Sequence, residues 1–465
     1  MLFNIRHAVA CLVAGALSLL WTASFAQPSL APCVPENAGY DGLAGLEYRC
    51  VALKSGPVLV AQTGDASKPT VMLVHGLGNN AHRDWRYVYP ALSDRFRMVM
   101  LDLPGFGDSG ALNGGYSFDG LATALEELAQ QLELRRFDLV GHSLGAAVSL
   151  YYADRYPARV QRLVLVDAAG MLQKQVFIRQ LLESNRATTV GALDNVMALM
   201  GAGAGDAWLD LLEDRLDSSA QLLAIPAIRA AVLGMPIHAD AALGLVEHDF
   251  TAAIRNVRAP TLLIWGEGDK VTPMRTGELL AARLPNARLK TISGAQHMPM
   301  VERPESFNQL LLDALQGEWP SPQPPVRGQS QGDVSCRDQA GVVYSGTYDR
   351  ITLTNCTGVR IERAFLDQLA IDGGSVELVQ VAIDADAVAL QATNASVIGT
   401  GMTITGDIAL RATSSRIDLA GVTLRARKQA VESTGSRVYF SVSDIDAPDY
   451  RGDAHFRWPR TSINN

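Results

Sequence analysis

A dense block of lysine and arginine is missing from this chain, and with it the usual electrostatic footprint of a nucleic-acid or anionic-membrane surface. The 40 Lys and Arg against 48 Asp and Glu leave a formal charge of −8, mild for 465 residues. Nucleic acid is therefore not an expected partner. No C-x-x-C or H-E-x-x-H spacing occurs, so no metal site is indicated. Beyond one N-terminal stretch no apolar run is long enough to span a bilayer. Charged residues are only 19%, but hydrophobic residues reach 48%, which excludes a disordered chain.

The N-terminus carries Arg6 and His7, an apolar run over residues 8–20, and small residues at Ser24 and Ala26. That layout predicts a signal peptide over residues 1–26, cleaved before Gln27, with an uncleaved membrane anchor as the alternative. The protein is expected in the periplasm or outside the cell. Removing the leader removes Cys11 and leaves Cys33, Cys50, Cys336 and Cys356. An even count in an oxidising compartment predicts disulfides, and the clustering favours Cys33 with Cys50 and Cys336 with Cys356. Each closes a short loop worth roughly 3 kcal/mol in the chain-entropy model. Unpaired buried thiols are the alternative.

At this length two domains are expected. Between residues 71 and 316 short β-branched runs alternate with helical stretches, as a mainly parallel sheet with crossover helices requires. Strands are expected at residues 70–74, 97–101, 137–140, 161–166, 261–265 and 288–292, after a lead-in hairpin at 48–53 and 57–61. Most are bare apolar runs, which a sheet covered on both faces needs. The alternation stops between about 171 and 255, where a purely helical pattern reads as an inserted cap. Its Met197, Met200, Leu233 and Met235 either line an apolar substrate pocket or form the cap's own core.

Residues 319–332 open with Trp319 and four prolines within 320–325, then run through a Gly/Gln/Ser stretch. Proline density makes this a semi-rigid linker that separates a first domain over 27–318 from a second over 333–448.

In the second domain helical periodicity vanishes and short Val/Ile/Leu/Thr runs recur between Gly, Asn, Asp and Ser. Segments beginning at Ala389, Ala409 and Ala430 align, and Val376 takes the place that Val397, Ile417 and Val438 take later. A period near 20 predicts a right-handed parallel β-helix, with a β-sandwich as the alternative. Residues 449–465 read as a tail.

The strongest local signal is Gly141-His142-Ser143-Leu144-Gly145, set between a strand and a helix. That is the context of the G-x-S-x-G elbow, which presents the hydroxyl of Ser143 at the sheet edge. A serine needs a base, and the chain has eight histidines. His7 lies in the leader and His455 in the tail, while His82, His238 and His248 lack a strand-end context. His75 sits in a turn and His142 points away from its neighbour Ser143. His297 alone follows the last strand of the alternating region. Asp269, after the strand at 261–265, is the candidate acid, with Glu267 and Asp167 as competitors. An oxyanion needs preorganised donors, for which the backbone N–H groups of Leu144 and Leu77 are the candidates.

Together His75-Gly76-Leu77-Gly78, the loop Asp102-Leu103-Pro104-Gly105-Phe106-Gly107-Asp108-Ser109, the elbow, Gly268-Asp269 and Gln296-His297 resemble the α/β-hydrolase superfamily. The loop and the cap look like the branch of lipases, monoacylglycerol lipases and carboxylesterases that also holds meta-cleavage C–C hydrolases. The resemblance covers about residues 48–315 and implies an α/β-hydrolase fold, ester hydrolysis through an acyl-enzyme, and no cofactor. Serine at 143 departs from epoxide hydrolases and dehalogenases, which place an aspartate there.

The expected activity is hydrolysis of a small-molecule or lipid ester with an apolar acyl part. Two alternatives stand beside it: the same triad used for C–C cleavage or acyl transfer, and a surface- or polymer-binding protein in which the β-repeats do the work.

Overall fold

The computed structural model describes residues 33, 42–63, 65–78, 80–113, 116–172, 241, 244–245, 248–317 and 326–458. The leader, nearly all of the expected cap and the proline-dense part of the linker lie outside the described residues, as do Met197, Met200, Leu233 and Met235.

An eight-stranded sheet carries the first part of the chain. Strands β1 (Glu47–Leu53) and β2 (Gly56–Gln62) form the antiparallel lead-in hairpin. They are followed by β3 (Thr70–Val74), β4 (Arg97–Leu101), β5 (Phe137–His142), β6 (Val160–Val166), β7 (Thr261–Gly266) and β8 (Ala287–Ile292), in the order β1-β2-β4-β3-β5-β6-β7-β8. β2 meets β4 antiparallel, and every pairing from β4 to β8 is parallel.

The apolar runs are explained by what covers each face. Side chains alternate across a strand, so Met72 and Val74 enter one core with Leu139 and Leu163, while Val71 and Leu73 enter another with Val140 and Val164. The first core is closed by α1 (Phe118–Gln131) and α2 (Leu144–Arg155), and the second by Trp85, Phe307 and Leu311. α1 begins where Ser117 Oγ accepts from Gly120 N at 3.1 Å, and it buries Phe118, Leu121, Ala122, Leu125, Leu128 and Ala129, one stripe at helical spacing. Further helices are α3 (Thr251–Asn256), α4 (Met274–Arg283) and α5 (Pro304–Gln316).

The second part is an all-β solenoid. It runs through β9 (Val334–Arg337), the long bending β10 (Val343–Val379), β11 (Ala382–Asp384), β12 (Val388–Thr393), β13 (Ser396–Thr400), β14 (Thr403–Thr413), β15 (Arg416–Ala420), β16 (Thr423–Thr434) and β17 (Arg437–Ala447). Successive coils stack in parallel: Val376 pairs with Val397, Val397 with Ile417, and Ile417 with Val438. The repeat seen in the sequence is therefore a spatial register, that of a parallel β-helix. Two corners of each coil use left-handed backbone, one at Gly374, Asn394, Ser414 and Gly435 and one at Gln380, Gly401, Gly421 and Val442.

Residues 450–458, read from the sequence as part of a tail, instead form β18 (Tyr450–Trp458). It pairs antiparallel with β17 and covers the edge that the last coil would expose. Both cysteine pairs are bonded. Cys33–Cys50 ties the segment before the sheet to β1, and Cys336–Cys356 staples β9 to β10 at the start of the solenoid, with Cα separations of 5.5 and 6.4 Å.

Candidate active site

Ser143 sits between the end of β5 and the start of α2 with φ of 52°, a left-handed conformation held by its surroundings. The flanking glycines are required by close approach. A Cβ on Gly141 would lie 2.3 Å from Gly145 O, and one on Gly145 would lie 2.3 Å from both Val74 O and His75 O. Any side chain there would push the turn off the end of β3.

Three loops converge on this turn. His297 Nε2 stands 3.1 Å from Ser143 Oγ, and His297 Nδ1 stands 2.9 Å from Asp269 Oδ2. Asp269 follows β7 and His297 follows β8, so two adjacent parallel strands deliver them side by side. The two loops are stitched together by Gly268 N donating to Ala295 O at 2.8 Å. Asp269 is further saturated: Val271 N and Thr272 N donate to Oδ1 at 2.7 and 3.0 Å, and Thr272 Oγ1 donates to Oδ2 at 2.6 Å. Burial alone would raise the Asp269 carboxyl, but the hydrogen bond and charge of His297 and the Thr272 donors outweigh it and hold the carboxyl below its usual value.

Of the competing acids, Glu267 accepts from Thr291 Oγ1 at 3.0 Å, away from the imidazole. Asp167 lies behind Asp269, and its Oδ1 accepts from Gly266 N at 3.0 Å. Burial, and then the charge of Asp269, push the Asp167 carboxyl well above the usual carboxylate range. The opposite directions favour the protonated form of Asp167 and the charged form of Asp269.

A family model of the α/β hydrolase fold matches residues 69–304 of the chain. The chain belongs to the α/β-hydrolase family. Among curated relatives, the 2-hydroxy-6-oxononadienedioate/2-hydroxy-6-oxononatrienedioate hydrolase 2 of Pseudomonas putida is 31% identical over 259 residues, which is 53% of this chain and 87% of that protein. The uncharacterized hydrolase YugF of Bacillus subtilis (strain 168) is 27% identical over 263 residues, 53% of this chain and 90% of that protein. Among solved structures, a hydrolase from Pseudomonas aeruginosa PA01 aligns at 27% identity with a TM-score of 0.45, covering 60% of this chain and 100% of that one. The solenoid lies beyond the residues that the family model matches.

Two histidines set aside from the sequence of this α/β hydrolase turn out to hold the site together. His142 does not point away from the chemistry: its Nε2 donates to the backbone carbonyl of His297 at 2.7 Å, and the two rings lie 4.9 Å apart. Burial, followed by the nearby His297, depresses the His142 imidazole to about 3, so it stays neutral. His75 bridges two loops, with Nδ1 donating to Gly76 O at 2.7 Å and Nε2 accepting from Leu103 N at 2.9 Å. That fixes the turn carrying Leu77, whose side chain is half-buried beside the first core. Gly76 is as close as it can be, since a Cβ there would meet His142 Nδ1 at 2.7 Å and Ser143 Cβ at 3.0 Å.

A second, fully buried His–Asp pair lies nearby. Asp102 Oδ1 accepts from His82 Nδ1 at 2.7 Å and from His82 N at 2.9 Å, and Oδ2 accepts from Asp108 N at 2.9 Å. His82 thus has a carboxylate partner that its position in the sequence did not reveal. The signal was at the other end, because Asp102 directly follows β4 and begins the DLPGFGDS loop. Among the described residues no group of three or more His, Cys, Asp or Glu is arranged to hold a metal ion.

Proposed function

We propose that this hydrolase is a serine enzyme acting through Ser143, His297 and Asp269. The observation that carries the reading is the unbroken relay from Ser143 Oγ through both nitrogens of His297 to Asp269 Oδ2. Ser143 Oγ attacks the substrate carbonyl while its proton passes to His297 Nε2. Asp269 accepts from Nδ1, fixing the tautomer and balancing the imidazolium. The N–H groups of Leu144 and Leu77 receive the oxyanion. Collapse expels the leaving group, which takes the proton from His297, and water attacks the acyl-enzyme with His297 again as base.

The substrate class we infer is a carboxylic ester with an apolar acyl part, and no step requires a cofactor. Export follows from the leader and is supported by the two disulfides, which suit an oxidising compartment. Among the described residues no helix is long and apolar enough to cross a membrane. Residues 27–318 then make up the catalytic part, 319–332 the linker and 333 onward the solenoid.

A second reading is favoured by the 31% identity to the Pseudomonas putida oxononadienedioate hydrolase: the same residues cleaving a C–C bond in a vinylogous diketone. Steady-state rates on a p-nitrophenyl ester chain-length series and on vinylogous diketones separate the two. Ester turnover falling at least about 1000-fold in Ser143→Ala supports the leading reading. Diketone turnover exceeding that of every ester replaces it with the second.

A further inference from the structure

Helix α4 begins at Met274, directly after the loop that carries Asp269, and it is gripped from both sides. Its inner side is pressed on the sheet, where a Cβ on Gly277 would meet the Trp265 ring at 2.9 Å. Its outer side presents Arg275, Glu278, Leu279, Ala282 and Arg283, positions that share one helical face. Every one of them meets the solenoid.

The Arg275 guanidinium is the principal tie. Its Nε donates to Thr400 Oγ1 at 2.9 Å, and its Nη2 lies within reach of Gly399 O at 3.1 Å, Asp418 O at 3.2 Å and Asp418 Oδ1 at 3.0 Å. The Arg275 and Asp418 side chains are 14% and 13% exposed, so this ion pair is largely out of water. Arg283 Nη1 donates to Thr423 Oγ1 at 2.8 Å, and Arg360 Nη2 donates to Glu278 Oε1 at 3.1 Å.

The solenoid is shaped to receive this helix. At the corner formed by Gln380, Gly401, Gly421 and Val442 the backbone is left-handed throughout, yet the outer two positions carry side chains. Conformation alone does not demand glycine there. The helix adds a close approach to that conformation: a Cβ on Gly401 would lie 2.5 Å from Ala282 Cβ, and one on Gly421 would lie 2.3 Å from Leu279 Cδ1. The two glycines mark the coils on which α4 rests.

The grip reaches the active site through Thr272. This residue donates to both oxygens of Asp269, and its own carbonyl accepts from Trp265 Nε1 at 2.9 Å. We propose that the C-terminal β-helix clamps α4 and thereby positions Asp269, with Arg275 as the positioning residue that couples the two parts of the chain. The proposal rests on the reading of Asp269 as the acid of the triad. It makes the solenoid a structural member of the active site rather than a detachable tether.

The test is a double-mutant cycle in the full chain, read as kcat and KM on p-nitrophenyl acetate. Arg275→Ala is expected to lower kcat about 10-fold with KM within about 2-fold, because small displacements of a catalytic group are costly. Arg275→Lys keeps the charge opposite Asp418 but loses the fork, and is expected to recover part of the loss. In an Asp269→Asn background, Arg275→Ala is expected to add less than about 2-fold. Arg427→Ala, which breaks an ion pair within the solenoid alone, serves as the control that leaves kcat unchanged.

Unchanged kcat in Arg275→Ala overturns the proposal, as does an equal loss in both backgrounds. If Arg275→Ala does not fold, unchanged kcat in Arg275→Lys overturns it instead. Full activity in Asp269→Asn removes the triad reading first, and the proposal falls with it.

Discussion

The imidazole of His142 donates from Nε2 to the backbone carbonyl of His297 at 2.7 Å, joining the residue beside the proposed nucleophile to the loop of the proposed base across 155 positions of sequence. Burial holds the His142 imidazole down at about 3, so the ring makes this bond as a neutral donor. Replacing His142 with leucine keeps the volume and removes the donor. The expected outcome is a kcat about 10-fold lower with little change in KM, measured at steady state on a short ester.

The same burial makes His142 a source of acid sensitivity. The unfolded chain protonates this imidazole below about 6.5, whereas the folded chain resists until about 3, so unfolding takes up a proton between those values. Stability falls as the pH drops through that window. Urea melts of the wild type and His142→Leu at several pH values should show the variant losing less between pH 6.5 and 4.

Asp84 has the opposite sign. Its carboxyl is buried, with Oδ1 unpartnered, and burial raises it to about 6 despite the Asn80 side chain's hydrogen bond. The unfolded chain gives up this proton earlier than the folded one, so the cost of holding the charge grows as the pH rises from about 4 to 6 and stays constant above. Asp84→Asn removes the charge. It is expected to gain stability over the wild type as the pH rises through that range, by about 3 kcal/mol at most, read from denaturant midpoints.

Asp167 and Asp269 are told apart by one substitution each. Asparagine resembles a neutral carboxylic acid, so Asp167→Asn is expected to keep kcat within about 3-fold. Asp269→Asn disturbs the tautomer of His297 and is expected to cost about 10,000-fold in kcat. Equal losses in the two variants would contradict the assignment.

Gly145→Ala places a methyl 2.3 Å from two backbone oxygens at the end of β3. Backbone cannot retreat as a flexible side chain can. The expected result is a loss of about 3 kcal/mol or more in stability together with activity, measured by thermal melting and ester turnover.

Much of the sheet was legible because each core strand announces itself as an apolar run, and β3 and β4 fall on the residues expected. The solenoid was legible from Val376 onward, where each coil has 20 or 21 residues. Its first coils escaped because they are shorter: Val334 stacks on Ile351 and Cys336 on Leu353, a spacing that a period near 20 misses. β18 escaped because it pairs antiparallel, outside the repeat. Ser143, His297 and Asp269 could be nominated because each follows a strand. The partners His142, His75 and His82 could not, because their roles depend on loops brought together only by the fold. The helix face on α4 was written in the sequence as a spacing, but nothing local said that a distant coil would cover it.

The assignment of Ser143 as nucleophile is tested most sharply by labelling with a fluorophosphonate followed by peptide mass spectrometry. One adduct is expected, on the peptide containing Ser143, lost in Ser143→Ala together with ester turnover and strongly slowed in His297→Ala. An adduct on another residue, or a Ser143→Ala variant that still hydrolyses short esters at the wild-type rate, would contradict the assignment.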